Sequence, residues 1–538
     1  MSLWMILLPA AITAACLMAG RTLFHYFQLE SYQFPGYFRT LGRNPGKAFL
    51  PGLILNAVLV GSMAVCAVVI PPENDWLPSV ITIVLVLCAG WLIRRHMKKI
   101  KAKKPMNMTA RMKRLYCVAG ILFLAVLVIC SRLGGFGSGI GSGILSGILI
   151  LFPVFLPLWV ALAGLLAWPI EKGISELYFR DAQRILRERK DLIRIGITGS
   201  WGKTSVKFIL GTMLEEKYHT LITPASFNTP MGVTKVIRSR LEPGHRVFVA
   251  EMGARHVGDI REMCRLVHPQ MGLLTSVGPQ HLDTFHTLER IISTKYELMD
   301  AIPADGHCFF ADDGDIVRKL WEKTEKAKTL TGLDPEADDV WAEEIRVDGT
   351  GSSFTLCTKD IRIPCRTRLL GELNIRNILL CAGVCLQLGM TGEQIARGIG
   401  KIAPVEHRLQ LIPNPGGMTV IDDAFNSNIR GAEQAFRVLK EMPGTRYLIT
   451  PGMVELGSQE EELNREFGKM AAECCDVAIL IGKKRSEAIA RGMTGNGFPK
   501  EKILVAGSLE EATAMMRRSV RAGDTVLFEN DLPDNYSE

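Results

Sequence analysis

Apolar positions are arranged along this chain in two different ways. Over the first third they run on almost without interruption, covering 3–20, 50–70, 77–93, 115–131 and 143–169. A helix needs about 20 apolar residues to cross a bilayer. The pattern therefore predicts a transmembrane region over 1–170 with about five helices, the first read as a retained anchor. Beyond that, apolar positions come in short runs separated by stretches of helical periodicity. The runs predict strands near 193–198, 219–223, 247–251, 271–276 and 307–310. Short strands over 340–370 read as a small antiparallel excursion, and a further set falls near 417–421, 446–450, 477–481, 502–505 and 525–528. Strands alternating with helices predict α/β folds with mainly parallel sheets. The expected organisation is an α-helical membrane bundle followed by two α/β domains, 171–404 and 405–538.

Charge adds an orientation. The formal net charge is +8, and much of it sits in one loop: Arg94, Arg95, Lys98, Lys99, Lys101, Lys103, Lys104, Arg111, Lys113 and Arg114. Arg21, Arg39, Arg43 and Lys47 follow the first apolar stretch, whereas the second and fourth loops are poor in bases. By the positive-inside rule the N-terminus is outside. Five spans then put everything after 170 in the cytoplasm, so the expectation is a multi-pass cell-membrane protein with cytoplasmic catalytic domains. No aromatic residues are interleaved with the basic run to stack bases, so nucleic acid is not expected as a partner; membrane lipids are. The apolar stretches hold almost no ionisable residues, which argues against transport. The thirteen cysteines are scattered without a CxxC pair, which argues against a zinc site or a disulfide framework.

The strongest local motif is Gly196-Ile-Thr-Gly-Ser-Trp-Gly-Lys-Thr204, between a predicted strand and a predicted helix. That context suits a phosphate loop: glycines let backbone N–H groups point at phosphate oxygens, and the helix N-terminus adds positive potential. Gly199, Ser200, Gly202, Lys203, Thr204 and Ser205 are the candidate nucleotide-binding residues, with Lys203 reaching the terminal phosphates and Thr204 placed for Mg²⁺. The first glycine lies one position earlier than in the general GxxxxGK[ST] pattern.

In that shifted form, Thr198-Gly-Ser-Trp-Gly-Lys-Thr204 resembles the TGxxGKT signature of the Mur ligases, and similar segments continue to about residue 530. They include Asn228-Thr-Pro-Met-Gly-Val233, Val249-Ala-Glu-Met-Gly-Ala254, Gly278-Pro-Gln-His-Leu-Asp-Thr-Phe285, Gly371-Glu-Leu-Asn-Ile-Arg-Asn377 and Asp422-Asp-Ala-Phe-Asn-Ser-Asn428. Gly452-Met-Val-Glu-Leu-Gly457 is similar to the branch that adds D-alanyl-D-alanine. The resemblance implies a central ATP-binding domain of Mur-ligase type and a Rossmann-like C-terminal domain. It also implies ATP-dependent amide-bond formation through an acyl-phosphate, on a cell-wall or envelope precursor. Lys203, His281 and Lys295 become candidate catalytic residues, with Lys295 where the family carries a carbamylated lysine. Thr204, Glu251, His281 and Lys295 become candidates for holding up to two Mg²⁺ ions. Asn377, Arg408 and Asp423 would position the nucleotide, and Asn228, Asn426 and Asn428 the substrate. The implied partners are an acidic peptide or glycopeptide precursor, an amine acceptor and a membrane protein.

The chain departs from the family in ways that bear on substrate. Only about 25 residues separate the last apolar stretch from the phosphate loop, so a membrane bundle stands where relatives carry a UDP-sugar domain. The family's Gly-x-His-Asn is Gly371-Glu-Leu-Asn374 here, and its Asn-x-Asn-Pro is Asn426-Ser-Asn-Ile429. Phe528-Glu-Asn-Asp-Leu-Pro-Asp534 replaces a Lys-Gly-Ser segment and reads as an acidic patch suited to a cationic acceptor. These departures point to a lipid-linked or membrane-presented substrate. The competing readings are a capsule-type poly-amino-acid synthase and a non-catalytic nucleotide sensor or scaffold.

Overall fold

The structure, a computed structural model, describes residues 4–71, 76–99, 105–135, 147–148, 150–224, 227–280, 282–348, 350–404, 407–412, 416–424, 429–453 and 459–530. The chain divides into two compact units, Met1–Leu177 and Tyr178–Glu538.

The first unit is helical. Its helices are Trp4–Ala19, Arg21–Leu29, Phe34–Arg43, Pro45–Val69, Leu77–Lys99 and Ala110–Gly135, and Leu156–Glu188 begins within it. Three of them, over Pro45–Val69, Leu77–Met97 and Ala110–Leu133, are long and apolar enough to cross a membrane. Ile6–Ala19 and Arg21–Leu29 meet that test only as a pair, bent by 48°. Five spans are expected from the sequence; the described residues thus supply three, or four if the bent pair is one span. The first apolar stretch forms only a 16-residue helix before the bend. Part of the fifth stretch, 143–146 and 149, lies outside the described residues. Packing inside the unit is tight: a Cβ on Gly90 would come within 2.8 Å of the Ala15 backbone. Phe24, Phe27, Tyr37, Phe123 and Phe152 fill the interior, while Val68, Val69 and Ile121 point outward at 71–87% exposure. Apolar residues thus occupy both the inside and the outer faces.

The second unit is α/β. Its larger sheet is built from β1 (Ile193–Thr198), β2 (Thr220–Ile222), β3 (Val247–Glu251), β4 (Met271–Leu274), β5 (His307–Ala311), β6 (Lys328–Gly332), β7 (Val340–Asp348), β8 (Gly351–Cys357) and β9 (Arg362–Thr367). The order is β2-β3-β1-β4-β5-β6-β7-β8-β9, parallel through β7 and antiparallel for β8 and β9. Both faces of the parallel part are covered, as such sheets require. Ile195, Ile197, Val247 and Val249 pack on one side with the helices Lys203–Leu214 and Glu372–Gln387. Phe248, Ala250 and Leu274 pack on the other with Asp259–Val267 and Leu288–Ala301. The second sheet comprises β10 (Gln410–Ile412), β11 (Thr419–Asp423), β12 (Arg446–Thr450), β13 (Val477–Ile481), β14 (Ile503–Ala506) and β15 (Thr525–Glu529). Its order is β10-β11-β15-β12-β13-β14, all parallel except β10. β6 and β10 carry no apolar run long enough to announce a strand, and both are additions to the sequence reading.

Candidate active site

The strand β1 ends where Gly199 (φ +150°) begins the loop, and Gly202 (φ +81°) is the N-cap of the Lys203–Leu214 helix. L side chains rarely adopt such φ values. At Gly199 the objection is also steric, since a Cβ would run into Thr275 Oγ1. The loop is pinned to the segment after β4. Ser200 N donates to Ser276 O (2.8 Å), Trp201 N to Ser276 Oγ (2.9 Å) and Gly278 N to Ser200 Oγ (3.0 Å). The Trp201 ring fills the space a Gly278 Cβ would need. What remains is a rigid turn at a helix N-terminus, whose first N–H groups have no partner within the helix and suit an anion.

Lys203 folds back over this turn, its Nζ donating to Gly199 O (2.6 Å) and Ser200 O (2.8 Å). Removal from water lowers its pKa to about 8; Glu251 opposes that and Arg408 adds to it. Both of these hydrogen-bond partners, Gly199 O and Ser200 O, are neutral carbonyls, so its charge is available to an incoming anion.

Beneath the loop, Glu251 closes β3 with its side chain 1% exposed. Oε1 accepts from Thr204 Oγ1 and Asn228 Nδ2, both at 3.1 Å, and Oε2 from Lys207 Nζ at 3.0 Å. Its backbone N donates to Thr223 Oγ1 (3.2 Å). Lys207 is wholly buried, and burial lowers its pKa against the pull of Glu251. The carboxylate and the adjacent Thr204 hydroxyl fit Mg²⁺, which prefers hard oxygen donors. Among the described residues no three His, Cys, Asp or Glu side chains gather into a metal cage.

The other candidates converge on the same place. Lys295, on the Leu288–Ala301 helix, is 3% exposed; burial first, and then Lys203, lower its pKa to about 7, while Asp259 opposes. Asn377 Oδ1 lies 3.2 Å from where a Gly202 Cβ would be. Ser205 sits half-buried in the first turn of the loop's helix. Arg408 feels both Asp423 and Glu251, although burial lowers its pKa overall. Asp423 accepts from Leu409 N (3.0 Å) and is bonded to Glu529, and burial raises its pKa. His281, Asn426 and Asn428 lie outside the described residues.

Several residues at the site are missed by the sequence reading. Lys207 is four residues after Lys203, so helical spacing puts both on one face, but only β3 reveals its partner. Thr223, Thr275 and Ser276 act through loop contacts with no sequence signature. Glu529 belongs to the segment read as an acidic patch. It is instead fully buried, in register with Asp423 on the neighbouring strand, and Asn530 donates to Gly452 O (2.6 Å). Residues 531–534 of that patch lie outside the described residues.

This geometry can be set beside known proteins. Residues 197–385 match the Mur ligase middle domain, and residues 407–529 match the Mur ligase, glutamate ligase domain. The UDP-N-acetylmuramoyl-tripeptide–D-alanyl-D-alanine ligase of Mycobacterium tuberculosis (strain H37Rv) is 31% identical over 357 residues, covering 62% of this chain and 69% of that protein. The chain belongs to the Mur ligase family. It is accordingly an ATP-dependent carbon–nitrogen ligase of peptidoglycan-synthesis type. The Escherichia coli (strain K12) ligase of the same name is 28% identical over 352 residues, covering 63% of this chain and 77% of that protein. A crystal structure of MurF from Acinetobacter baumannii superposes with TM-score 0.60 at 25% identity, covering 66% of this chain and 77% of that one. MurF from Thermotoga maritima in complex with ADP shares the fold, with TM-score 0.59 at 23% identity over 67% of this chain and 81% of that one.

Proposed function

We propose that this Mur ligase is a multi-pass membrane enzyme whose cytoplasmic domains, about 171–404 and 405–538, join an amine to the carboxyl group of a cell-wall precursor presented at the bilayer. The observation that carries the chemical part is the grip of Thr204, Asn228 and Lys207 on Glu251 beneath the phosphate loop. The outward-facing apolar residues on helices of spanning length support the membrane part. In the proposed reaction the loop N–H groups and Lys203 hold the phosphates of ATP. The acceptor's carboxylate attacks the γ-phosphorus, ADP departs, and an acyl-phosphate forms. A neutral amine then attacks the acyl carbon, phosphate leaves, and the amine's extra proton passes to solvent or a nearby base. Phosphoryl transfer demands charge neutralisation more than covalent help. Mg²⁺ would be held by Thr204 and Glu251, with His281 assigned to a second ion, and would supply that neutralisation. Lys295, with its depressed pKa, is suited to carbamylation, which would turn a cation into a further oxygen donor. In this reading Asn377, Arg408 and Asp423 position the nucleotide, and Asn228, Asn426 and Asn428 are assigned to the substrate. Relatives named for adding D-alanyl-D-alanine to a muramoyl-tripeptide make that pair the first substrates to try.

The test uses the full chain in lipid nanodiscs, with ATP, Mg²⁺, D-alanyl-D-alanine and either a lipid-linked or a UDP-linked muramoyl-tripeptide. Phosphate release and product mass are read together. Amine-stimulated release with preference for the lipid-linked acceptor is expected. Equal or better use of the UDP-linked acceptor sinks the membrane-presented substrate but leaves the ligase. No amine-stimulated release with any acceptor or amine in a broad panel removes the ligase reading and favours a nucleotide sensor.

A further inference from the structure

The phosphate loop occupies the C-terminal ends of the strands in the large sheet. At the other end of the strands lies a second concavity of about 530 Å³, lined by Gln183, Leu186, Arg187, Lys190, Arg194 and His268. Arg194 is the second residue of β1, five positions before Gly199, so the two sites are roughly 16 Å apart along one strand at about 3.3 Å per residue.

Three arginine and lysine side chains and one histidine meet there, and no carboxylate lines the wall. Their neighbours in sequence are treated differently. Arg184 is paired with Asp181 and Glu188, and Arg189 and Arg246 share Asp191. Among the described residues Arg194 forms no ion pair, and its Nε is buried without a hydrogen-bond partner. The Gln270 amide oxygen takes the Arg194 backbone N–H (2.7 Å). Arg187 reaches only the Gln183 amide oxygen at 3.5 Å, and Gln183 in turn donates to Arg265 O (2.7 Å). His268 caps the C-terminus of the Asp259–Val267 helix, where burial first, and then Arg194 and Arg187, disfavour its protonated form. A helix dipole accounts for Arg187, in the last turn of Leu156–Glu188. It does not account for Arg194, which is on a strand. Like charges gathered without a counter-charge repel one another, and a half-buried guanidinium with an orphaned N–H is uncompensated. An anion with several oxygen acceptors removes both penalties at once, and guanidinium geometry matches phosphate.

We propose that this concavity is a second anion site that binds a phosphate group, separate from the ATP site. The same chemistry is offered by the headgroup phosphate of an anionic lipid and by soluble phosphate, so the experiment has two arms. The full-length protein is placed in phosphatidylcholine nanodiscs and titrated with inorganic phosphate, reading thermal unfolding. Separately, phosphatidylglycerol nanodiscs are compared with phosphatidylcholine ones in the absence of phosphate. Wild type and Lys203→Met are expected to be stabilised in at least one arm. Arg194→Met should weaken that effect about tenfold or more in concentration, while unfolding no earlier than wild type when nothing is bound. Should Arg194→Met fail to fold, the exposed pair Arg187→Gln/Lys190→Gln gives the decisive comparison. Stabilisation by phosphate alone assigns a soluble ligand, and by phosphatidylglycerol alone a lipid headgroup. No stabilisation in either arm, or stabilisation that the pocket variants keep, overturns the proposal.

Discussion

Glu171 in the helical unit and Glu251 in the α/β unit are both carboxylates drawn out of water beside bases, yet they are held differently. Glu171 accepts from Arg114 Nε (2.5 Å) and NH2 (2.9 Å), with Arg111 at 3.8 Å. Those arginines keep 36% and 42% of their side chains exposed. Glu251 and Lys207 have 1% and 0% exposure, and two further donors, Thr204 and Asn228, converge on one carboxylate oxygen. A pair at a rim can exchange its partner for water. A pair sealed in a core cannot, and each charge there exists only because the other does. The difference separates an interaction that ties helices together from one that holds a charged oxygen in position for chemistry.

The sharpest way to break the comparison is to remove Lys207. Lys207→Met leaves Glu251 buried with an uncompensated charge, and a loss of about 3–5 kcal/mol in unfolding free energy is expected. Urea unfolding followed by tryptophan fluorescence measures it. Lys207→Met/Glu251→Gln should recover much of that loss, because both charges are then gone. A single variant that loses under about 1 kcal/mol means the pair is solvated after all. Next in size is Glu251→Gln alone, which keeps the shape of the side chain and removes its charge. ATP-dependent phosphate release should fall on the order of 100-fold, with a higher Mg²⁺ requirement. A change within threefold would show that Glu251 is structural like Glu171.

Gly199→Ala probes the loop above the pair. The residue would have to hold φ near +150° with its Cβ against Thr275, at a cost of about 1–3 kcal/mol. Nucleotide affinity measured by calorimetry should drop correspondingly; unchanged affinity would mean that the loop can reshape. Glu171→Gln is expected to be milder still, at about 1 kcal/mol or less. Phosphate release per folded molecule should stay at the wild-type level. Loss of turnover without loss of fold would erase the functional distinction between the two carboxylates.

What could be read from the sequence follows the same division between local and non-local causes. The phosphate loop was legible because strand, glycine turn and helix are consecutive, and so was the position of Glu251 at the end of an apolar strand. The three-residue β10 and the polar β6 could not be read, because their pairing depends on strands elsewhere. The role of Lys207 could not be read, because its partner Glu251 stands on β3, far away in sequence. The Asp423–Glu529 contact needed the register of β11 on β15, which no local pattern encodes. Phe528–Asp534 looked like an exposed acidic patch for the corresponding reason: at Glu529 and Asn530 burial, not composition, decides the role. In the helical unit, composition announced apolar helices but not the bend of 48° after Ala19.

The smallest expected effect concerns Lys295, buried on the Leu288–Ala301 helix. Its pKa is lowered from 10.5 to about 7, chiefly by burial. The folded chain has therefore lost a proton that the unfolded chain keeps between those two values, and this group's contribution makes stability rise with pH across that window. Carbamylation consumes the neutral amine. That form is about half populated at pH 7 and roughly nine-tenths populated at pH 8, so the gain is less than twofold. With ¹³C-labelled carbon dioxide at a fixed dissolved concentration, the initial rate of carbamate formation should grow by that factor between the two pH values, the equilibrium signal should grow further because each carbamylation releases a proton, and Lys295→Arg should abolish both. Turnover should follow the signal if the carbamate oxygens assist the metal site. No label at Lys295 at pH 8 would leave it a buried amine set by its surroundings alone, closer in kind to the structural pair at Glu171 than to Glu251.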